Sequence, residues 1–168
     1  MTRRLLTIKW TFYGLWTLLF LLVQQLVLPY IRIGGVHPFL LPMLAAVAAS
    51  FEGKWEGSIF GLVLGFVCDG LFTGAFPCFY AVVLTLAAML AGVAARHLIM
   101  PGLVCSLAVS AAALVLMGLI NTMVFSYSYG TPLTAALWLM ARELLISLPF
   151  AILVHLAFAR IHRRFSGR

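Results

Sequence analysis

The sequence predicts an all-α integral membrane protein, a bundle of six transmembrane helices. Of its 168 residues, 64% are apolar or aromatic and only 9% are charged, and the mean hydropathy is +1.14. Soluble domains average about 45–50% apolar and about 25% charged residues, so this composition excludes an ordinary soluble enzyme. Six crossings of about 20 residues would use about 120 positions, and the remainder suffices only for loops and ends. We therefore expect one transmembrane domain over residues 1–168.

The spacing of charged residues, glycines and prolines sets the expected spans. A hydrocarbon core of about 30 Å takes about 20 helical residues, and glycine and proline mark the breaks between spans. The second span is short because glycines and prolines before it disfavour an early helix start. The third either carries Asp69 into the bilayer or ends early in a re-entrant turn through Gly70, Gly74 and Pro77. The expected spans are 10–30, 37–51, 57–74, 76–95, 102–125 and 133–158.

The basic residues indicate that both termini lie in the cytoplasm. Six spans place the termini on one side, and the positive-inside rule assigns that side to the cytoplasm because the other side holds only Arg32. A net charge of +7 can indicate nucleic-acid binding, but the basic residues here lie beside apolar spans. This position is typical of membrane anchors, so we do not expect nucleic-acid binding. The first span resembles a signal peptide without a cleavage site, so we expect it to be uncleaved. The expected cytoplasmic residues are Arg3, Arg4, Lys9, Lys54, Arg96, Arg160, Arg163, Arg164 and Arg168.

Three glycines four residues apart form the sharpest local pattern. Gly57, Gly61 and Gly65 share one helix face, since residues four apart drift by only about 40°, and Asp69 continues the stripe. Such a groove lets another helix approach closely. Two interpretations stay open: packing inside this bundle, and a groove for the transmembrane helix of a partner protein.

Three charged residues are expected within the membrane. Asp69 lies about 18 Å from the inner boundary and Arg142 about 14 Å from the outer one, so their depths nearly coincide. Because an intramembrane charge is costly unless paired, we expect Asp69 to pair with Arg142 as a structural tie, with a ligand or ion role as the alternative. Glu143 points about 100° away from Arg142 on the same helix and has no expected partner.

The remaining polar residues favour packing over chemistry. Gln24, Gln25 and Asn121 are expected to form hydrogen bonds between helices rather than to contact a substrate. The histidines show no metal-ligand spacing, and the cysteines lie in apolar stretches without a CxxC pair. No Walker motif, nucleophile elbow or HExxH motif is present. We therefore expect no enzyme activity, no metal and no cofactor.

Four features of the chain together resemble the family of the rod shape-determining protein MreD. They are the proline-bounded second segment, the six spans, the basic tail and the stretch GSIFGLVLGFVCDGLFTGAFPCFYAVV at 57–83. The resemblance covers the chain from about Pro38 to Arg164. Its most specific part is the glycine run into Gly65 followed by Asp69. The chain departs from the family at Pro77 and Cys78, where members often continue toward a Gly-Leu-type turn.

The resemblance implies a non-enzymatic component of the bacterial cell-elongation machinery in the cytoplasmic (inner) membrane. Such a protein scaffolds or regulates peptidoglycan synthesis so that the cell stays a rod. Its implied partners are MreC, a single-span protein with an extracytoplasmic domain, the actin-like MreB and the peptidoglycan synthases of the lateral wall. A partner helix in the glycine groove predicts that Gly61→Leu or Gly65→Leu would release the partner without unfolding the chain.

Two other functions stay open. The family's fold also resembles the substrate-binding S subunits of energy-coupling-factor (ECF) transporters, which makes a vitamin-type small-molecule binding subunit the alternative. A flippase or channel component is a third class, for which the intramembrane charges are the only argument. The scaffold fits better because the expected outer loops, near 32–37, 70–77 and 126–132, are short and hold only Arg32 as a full charge. A receptor for a soluble ligand should present several polar groups to an outer pocket.

Overall fold

A computed structural model describes residues 3–30, 35–72, 76–97, 102–130 and 132–166. These residues form seven α-helices and one 3-10 turn, so the prediction of an all-α fold is confirmed over them. The elements are α1 (Arg3–Leu26), the 3-10 turn (Leu28–Tyr30), α2 (Leu41–Glu52), α3 (Lys54–Leu71), α4 (Phe79–His97), α5 (Leu103–Tyr129), α6 (Leu133–Ser147) and α7 (Phe150–Ser166). Arg32, Gly74 and Arg168 lie outside the described residues.

Helix α2 is the centre of the bundle. Every residue from Leu41 to Ser50 is buried, and α3, α4, α5 and α7 all pack against it. A helix that is apolar on all sides is typical of a buried core. Pro42 lies in its first turn, where an N–H would have no acceptor within the helix, so its absence costs no hydrogen bond. The short proline-bounded segment is therefore the helix around which the others assemble.

Three helices are long and apolar enough to cross a membrane, namely Thr7–Tyr30, Phe79–His97 and Leu103–Val124. Helices α6 and α7 supply a fourth candidate if this pair, bent by 48°, is one broken span. These helices are compatible with a membrane protein. The other two expected spans do not qualify by length and composition, because α2 has only 12 residues and α3 carries three charged residues.

The sixth expected span, 133–158, is divided between two helices. Helix α6 ends at Ser147 and α7 begins at Phe150. Pro149 explains the break, since proline lacks an N–H and its ring clashes with the preceding turn of a helix. At the end of α5, Gly130 adopts a left-handed conformation with φ 62°, and the helix runs beyond its expected end at 125.

Gly53 alone separates α2 from α3. Its φ of 96° is open to glycine and strained for other residues. Arg96, at the end of α4, covers this corner, because a Cβ on Gly53 would lie 2.5 Å from a guanidinium nitrogen of Arg96. The connection between the second and third expected spans is therefore a one-residue corner that lets α2 and α3 pack side by side.

Candidate functional site

The glycine stripe of α3 faces the inside of the bundle. A Cβ on Gly57 would overlap α2, and one on Gly61 would lie 2.7 Å from the carbonyl oxygen of Leu84 in α4. A Cβ on Gly65 would lie 2.7 Å from the backbone nitrogen of Ala81. Helices α2 and α4 therefore fill the groove. Of the two interpretations of the stripe, the structure supports packing inside the bundle and not a groove for a partner helix, since the chain itself occupies the groove.

Asp69 binds the beginning of α4. Its Oδ1 accepts a hydrogen bond from the backbone N–H of Tyr80 at 2.9 Å, and its Oδ2 accepts one from Ala81 at 3.0 Å. The first N–H groups of a helix have no partner within the helix, and the helix dipole favours a negative charge there. Asp69 is therefore a structural residue that joins α3 to α4.

The ion pair expected between Asp69 and Arg142 does not form. Arg142 is exposed, and its guanidinium carbon lies 5.8 Å from the centre of the Trp138 ring, one turn earlier in α6. This is the geometry of a cation–π contact. The expectation failed because it compared charged side chains only, whereas α4 offers Asp69 two backbone donors.

Glu143 lines a cavity of about 470 Å³ at the end of the bundle where α2 begins. Among the described residues, neither of the two ion pairs involves Glu143. The structure thus brings Glu143 of α6 next to Gln24 and Gln25 of α1, and adds His37. The other lining residues in the described part of the chain are Pro29, Gly35, Val36, Phe39, Phe72 and Leu139.

Gln24 fixes one wall of this cavity. Its Nε2 donates a hydrogen bond to the carbonyl oxygen of Pro38 at 3.2 Å, and its Oε1 accepts one from the N–H of Leu40 at 2.9 Å. From the other side, the hydroxyl of Ser147 accepts a hydrogen bond from the N–H of Phe39 at 2.9 Å. Gln24 therefore joins α1 to the N-cap residue of α2 and to the backbone just before it, in line with the expected hydrogen bond between helices.

A charged cluster at the opposite end of α2 is not predicted from the sequence. Lys9 donates a hydrogen bond to Oε2 of Glu52, Tyr13 donates one to Oε1 at 2.8 Å, and Nδ1 of His162 lies 3.3 Å from Oε1. The Glu52 side chain is only 4% exposed. Its three partners compensate the buried charge and hold α1 and α7 to the end of α2. The available signal was the four-residue spacing of Lys9 and Tyr13, which places both on one face of α1.

The cysteines and histidines do not assemble into a metal site within the described ranges. No group of three or more His, Cys, Asp or Glu residues there could hold a metal ion. Cys68 and Cys105 are buried as small apolar side chains, whereas Cys78 is exposed in the turn before α4 with φ 62°.

No protein-family model, curated protein or solved structure matches the chain at a significant level. The fold and the site define an all-helical protein compatible with a membrane location. Its distinctive features are a filled glycine groove, an aspartate of α3 that accepts hydrogen bonds from the start of α4, and a partly polar cavity at one end of the bundle.

Proposed function

We propose that the protein is a non-enzymatic scaffold or regulator of the bacterial cell-elongation machinery, which supports peptidoglycan synthesis and maintains the rod shape. In this proposal it is an MreD-like protein of the cytoplasmic membrane. It binds an MreC-like single-span protein and works beside MreB and the peptidoglycan synthases of the lateral wall.

The observation that carries this proposal concerns the residues on which the family resemblance depends. Gly65 allows α3 to approach α4, and Asp69, one turn later, accepts hydrogen bonds from the first turn of α4. The four-residue spacing places both residues on the face of α3 that contacts α4. The motif therefore has a specific structural purpose, which supports the resemblance beyond general hydrophobicity.

Because α2 and α4 fill the glycine groove, a partner helix has to bind another surface. Helices α1 and α3 each present an exposed apolar face, which suits a second helix in lipid because close van der Waals packing drives such association. Exposed residues on these faces include Leu15, Leu18 and Leu22 of α1 and Ile59, Val63 and Phe66 of α3.

The proposed topology keeps six crossings with both termini in the cytoplasm, and α2 and α3 then form a hairpin within the bilayer. Helix α3 rises about 27 Å, close to the hydrocarbon thickness. Lys54 and Glu56 lie in its first turn, and the carboxylate of Asp69 accepts two hydrogen bonds from α4. Charges placed at a span's ends or bound by backbone donors are tolerated in a membrane.

Depletion of the protein from a rod-shaped bacterium that carries it tests the proposal. Depleted cells are expected to widen into spheres, and the wild-type chain is expected to restore rods. Glu143→Gln is expected to restore rods equally, because the scaffold does not use the cavity charge. Cells that keep their rod shape after full depletion would overturn the proposal.

The cavity favours a second candidate, the small-molecule binding S subunit of an ECF transporter. Its volume of about 470 Å³ lies within the range of about 300–1,000 Å³ of ligand sites. Polar groups in the cavity come from Gln25, His37 and Glu143. The short outer loops alone did not indicate such a polar site. Under this alternative, depletion leaves cell shape intact and abolishes uptake of one small nutrient, and Glu143→Gln reproduces that loss.

A further inference from the structure

A second cavity, which the proposed scaffold does not use, lies along the last turns of α7. Its volume is about 370 Å³. The described residues that line it are His155, Leu156, Ala159, Arg160 and Arg163. Their spacing of one, four, five and eight residues after His155 places them on one face of the helix.

The cavity is basic. Arg160 and Arg163 are exposed, and the two ion pairs of the described residues join Glu52 to Lys9 and His162 instead. The lining residues of the described chain include no carboxylate. Guanidinium groups bind phosphate oxygens through paired N–H donors, so two of them in one cavity suit a phosphate group.

His155 fixes the base of the cavity against α5. Its side chain is buried, and its Nδ1 lies 2.7 Å from the hydroxyl oxygen of Ser106. Ser106 lies at the end of the first turn of α5, which begins directly after Gly102. The hydrogen bond therefore holds the His155 ring, and with it the inner side of the cavity, against the first turns of α5.

The cavity changes from basic to apolar along α7. Leu156 lines it and is 56% exposed, and the neighbouring Ile152 and Leu153 are exposed as well. Leu156 and Arg163 are separated by about 10 Å along the helix axis. A free phosphate ion would contact only the basic half. An amphiphile with an acyl chain and an anionic headgroup would contact both halves.

We propose that this cavity binds the headgroup phosphate of an anionic phospholipid, in the membrane leaflet next to the last turn of α7. The acyl chain lies along Leu156, and the phosphate lies between Arg160 and Arg163. This site is independent of the scaffold function and of the cavity at Glu143.

The test uses the full chain purified in an uncharged detergent. Short-chain phosphatidylglycerol, short-chain phosphatidylcholine and inorganic phosphate are each titrated, and the unfolding temperature and the lipid retained in native mass spectrometry are measured. Phosphatidylglycerol is expected to raise the unfolding temperature and to stay bound. Phosphatidylcholine and phosphate at the same concentrations are expected to do neither.

Two variants locate the site. Arg160→Gln with Arg163→Gln is expected to weaken phosphatidylglycerol binding about 25-fold, from roughly fivefold for each arginine. Arg164→Gln is the matched control, because Arg164 is an exposed neighbour that is not among the lining residues, and it is expected to change binding by less than about twofold. If the double variant does not fold, Arg160→Gln and Arg163→Gln are measured singly. Each single variant is expected to bind phosphatidylglycerol roughly fivefold more weakly than the wild type.

Three results would overturn the proposal. An equal shift with inorganic phosphate would mean that a free anion binds. An equal shift with phosphatidylcholine would mean that the headgroup charge is not recognised. An equal loss in Arg164→Gln would mean that only the total charge of the tail matters.

Discussion

Gly65 of α3 lies so close to Ala81 of α4 that a Cβ on Gly65 would come within 2.7 Å of the Ala81 backbone nitrogen. The same N–H of Ala81 donates a hydrogen bond to Asp69 at 3.0 Å. The two contacts depend on each other, because only a glycine at 65 lets α4 come near enough for the Asp69 carboxylate to reach its first turn. The segment that carries the family resemblance is therefore first of all a contact between two helices of one chain.

Gly65→Ala is expected to lower the stability of the protein. An added methyl group would press on backbone atoms, and such overpacking costs about 1–3 kcal/mol. Thermal unfolding in detergent measures the effect. Gly70→Ala in the same helix is the control, since an added Cβ there meets nothing within 4 Å and alanine favours a helix. An unfolding temperature of Gly65→Ala at or above the wild-type value would contradict the account.

Asp69→Ala is expected to cost about 1–2 kcal/mol, because loss of a helix N-terminal cap has this size. Asp69→Arg combined with Arg142→Asp is expected to be no more stable than Asp69→Arg alone, since Arg142 contacts Trp138 instead. Denaturant unfolding of the four proteins measures both effects. Rescue by the charge swap would reinstate the ion pair that the structure lacks.

Glu52→Ala is expected to cost about 3–5 kcal/mol, because it leaves the buried Lys9 without its partner. The double variant Lys9→Met with Glu52→Leu is expected to lose less, since neither charge then stays buried alone. Glu56→Ala removes an exposed carboxylate nearby and is expected to be neutral. Unfolding in a denaturing detergent distinguishes the three. Equal stability of Glu52→Ala and Glu56→Ala would show that the cluster contributes nothing.

The proposed topology predicts that Cys78 faces the outside of the cell. Cys78 is exposed whereas Cys68 and Cys105 are buried, so a membrane-impermeant maleimide is expected to label intact cells at Cys78 alone. In a Cys78→Ser background, Trp55→Cys at the exposed start of α3 is expected to react only after the membrane is opened. Labelling of Trp55→Cys in intact cells would contradict the cytoplasmic position that the proposed topology gives to the corner between α2 and α3.

Composition and charge spacing predict an all-helical chain with long apolar helices, because both depend on local properties of the chain. The break at Pro149 is also a local property, but a span length set by membrane thickness alone does not predict it. Glycine periodicity predicts that some helix approaches α3 closely. It does not specify which one, since a second helix of this chain and a helix of a partner need the same small residues.

The contacts of the charged residues depend on tertiary structure. The depth comparison for Asp69 considered only other side chains, so the backbone donors of α4 were overlooked. Gln24, His37 and Glu143 meet at one cavity although they belong to distant parts of the chain. The hydrogen bonds that join Gln24 of α1 and Ser147 of α6 to the segment before α2 bring them together.

Photo-cross-linking in native membranes tests the central claim most directly. A photoreactive residue replaces the exposed Leu18 on α1 or Phe66 on α3, with the buried Ala88 as the control position. The scaffold account predicts that an outward position captures a single-span MreC-like protein together with lateral-wall peptidoglycan synthases, and that position 88 captures neither. Recovery of two ATPase subunits with a membrane coupling protein, and of no MreC-like protein, would contradict it and establish the transporter alternative.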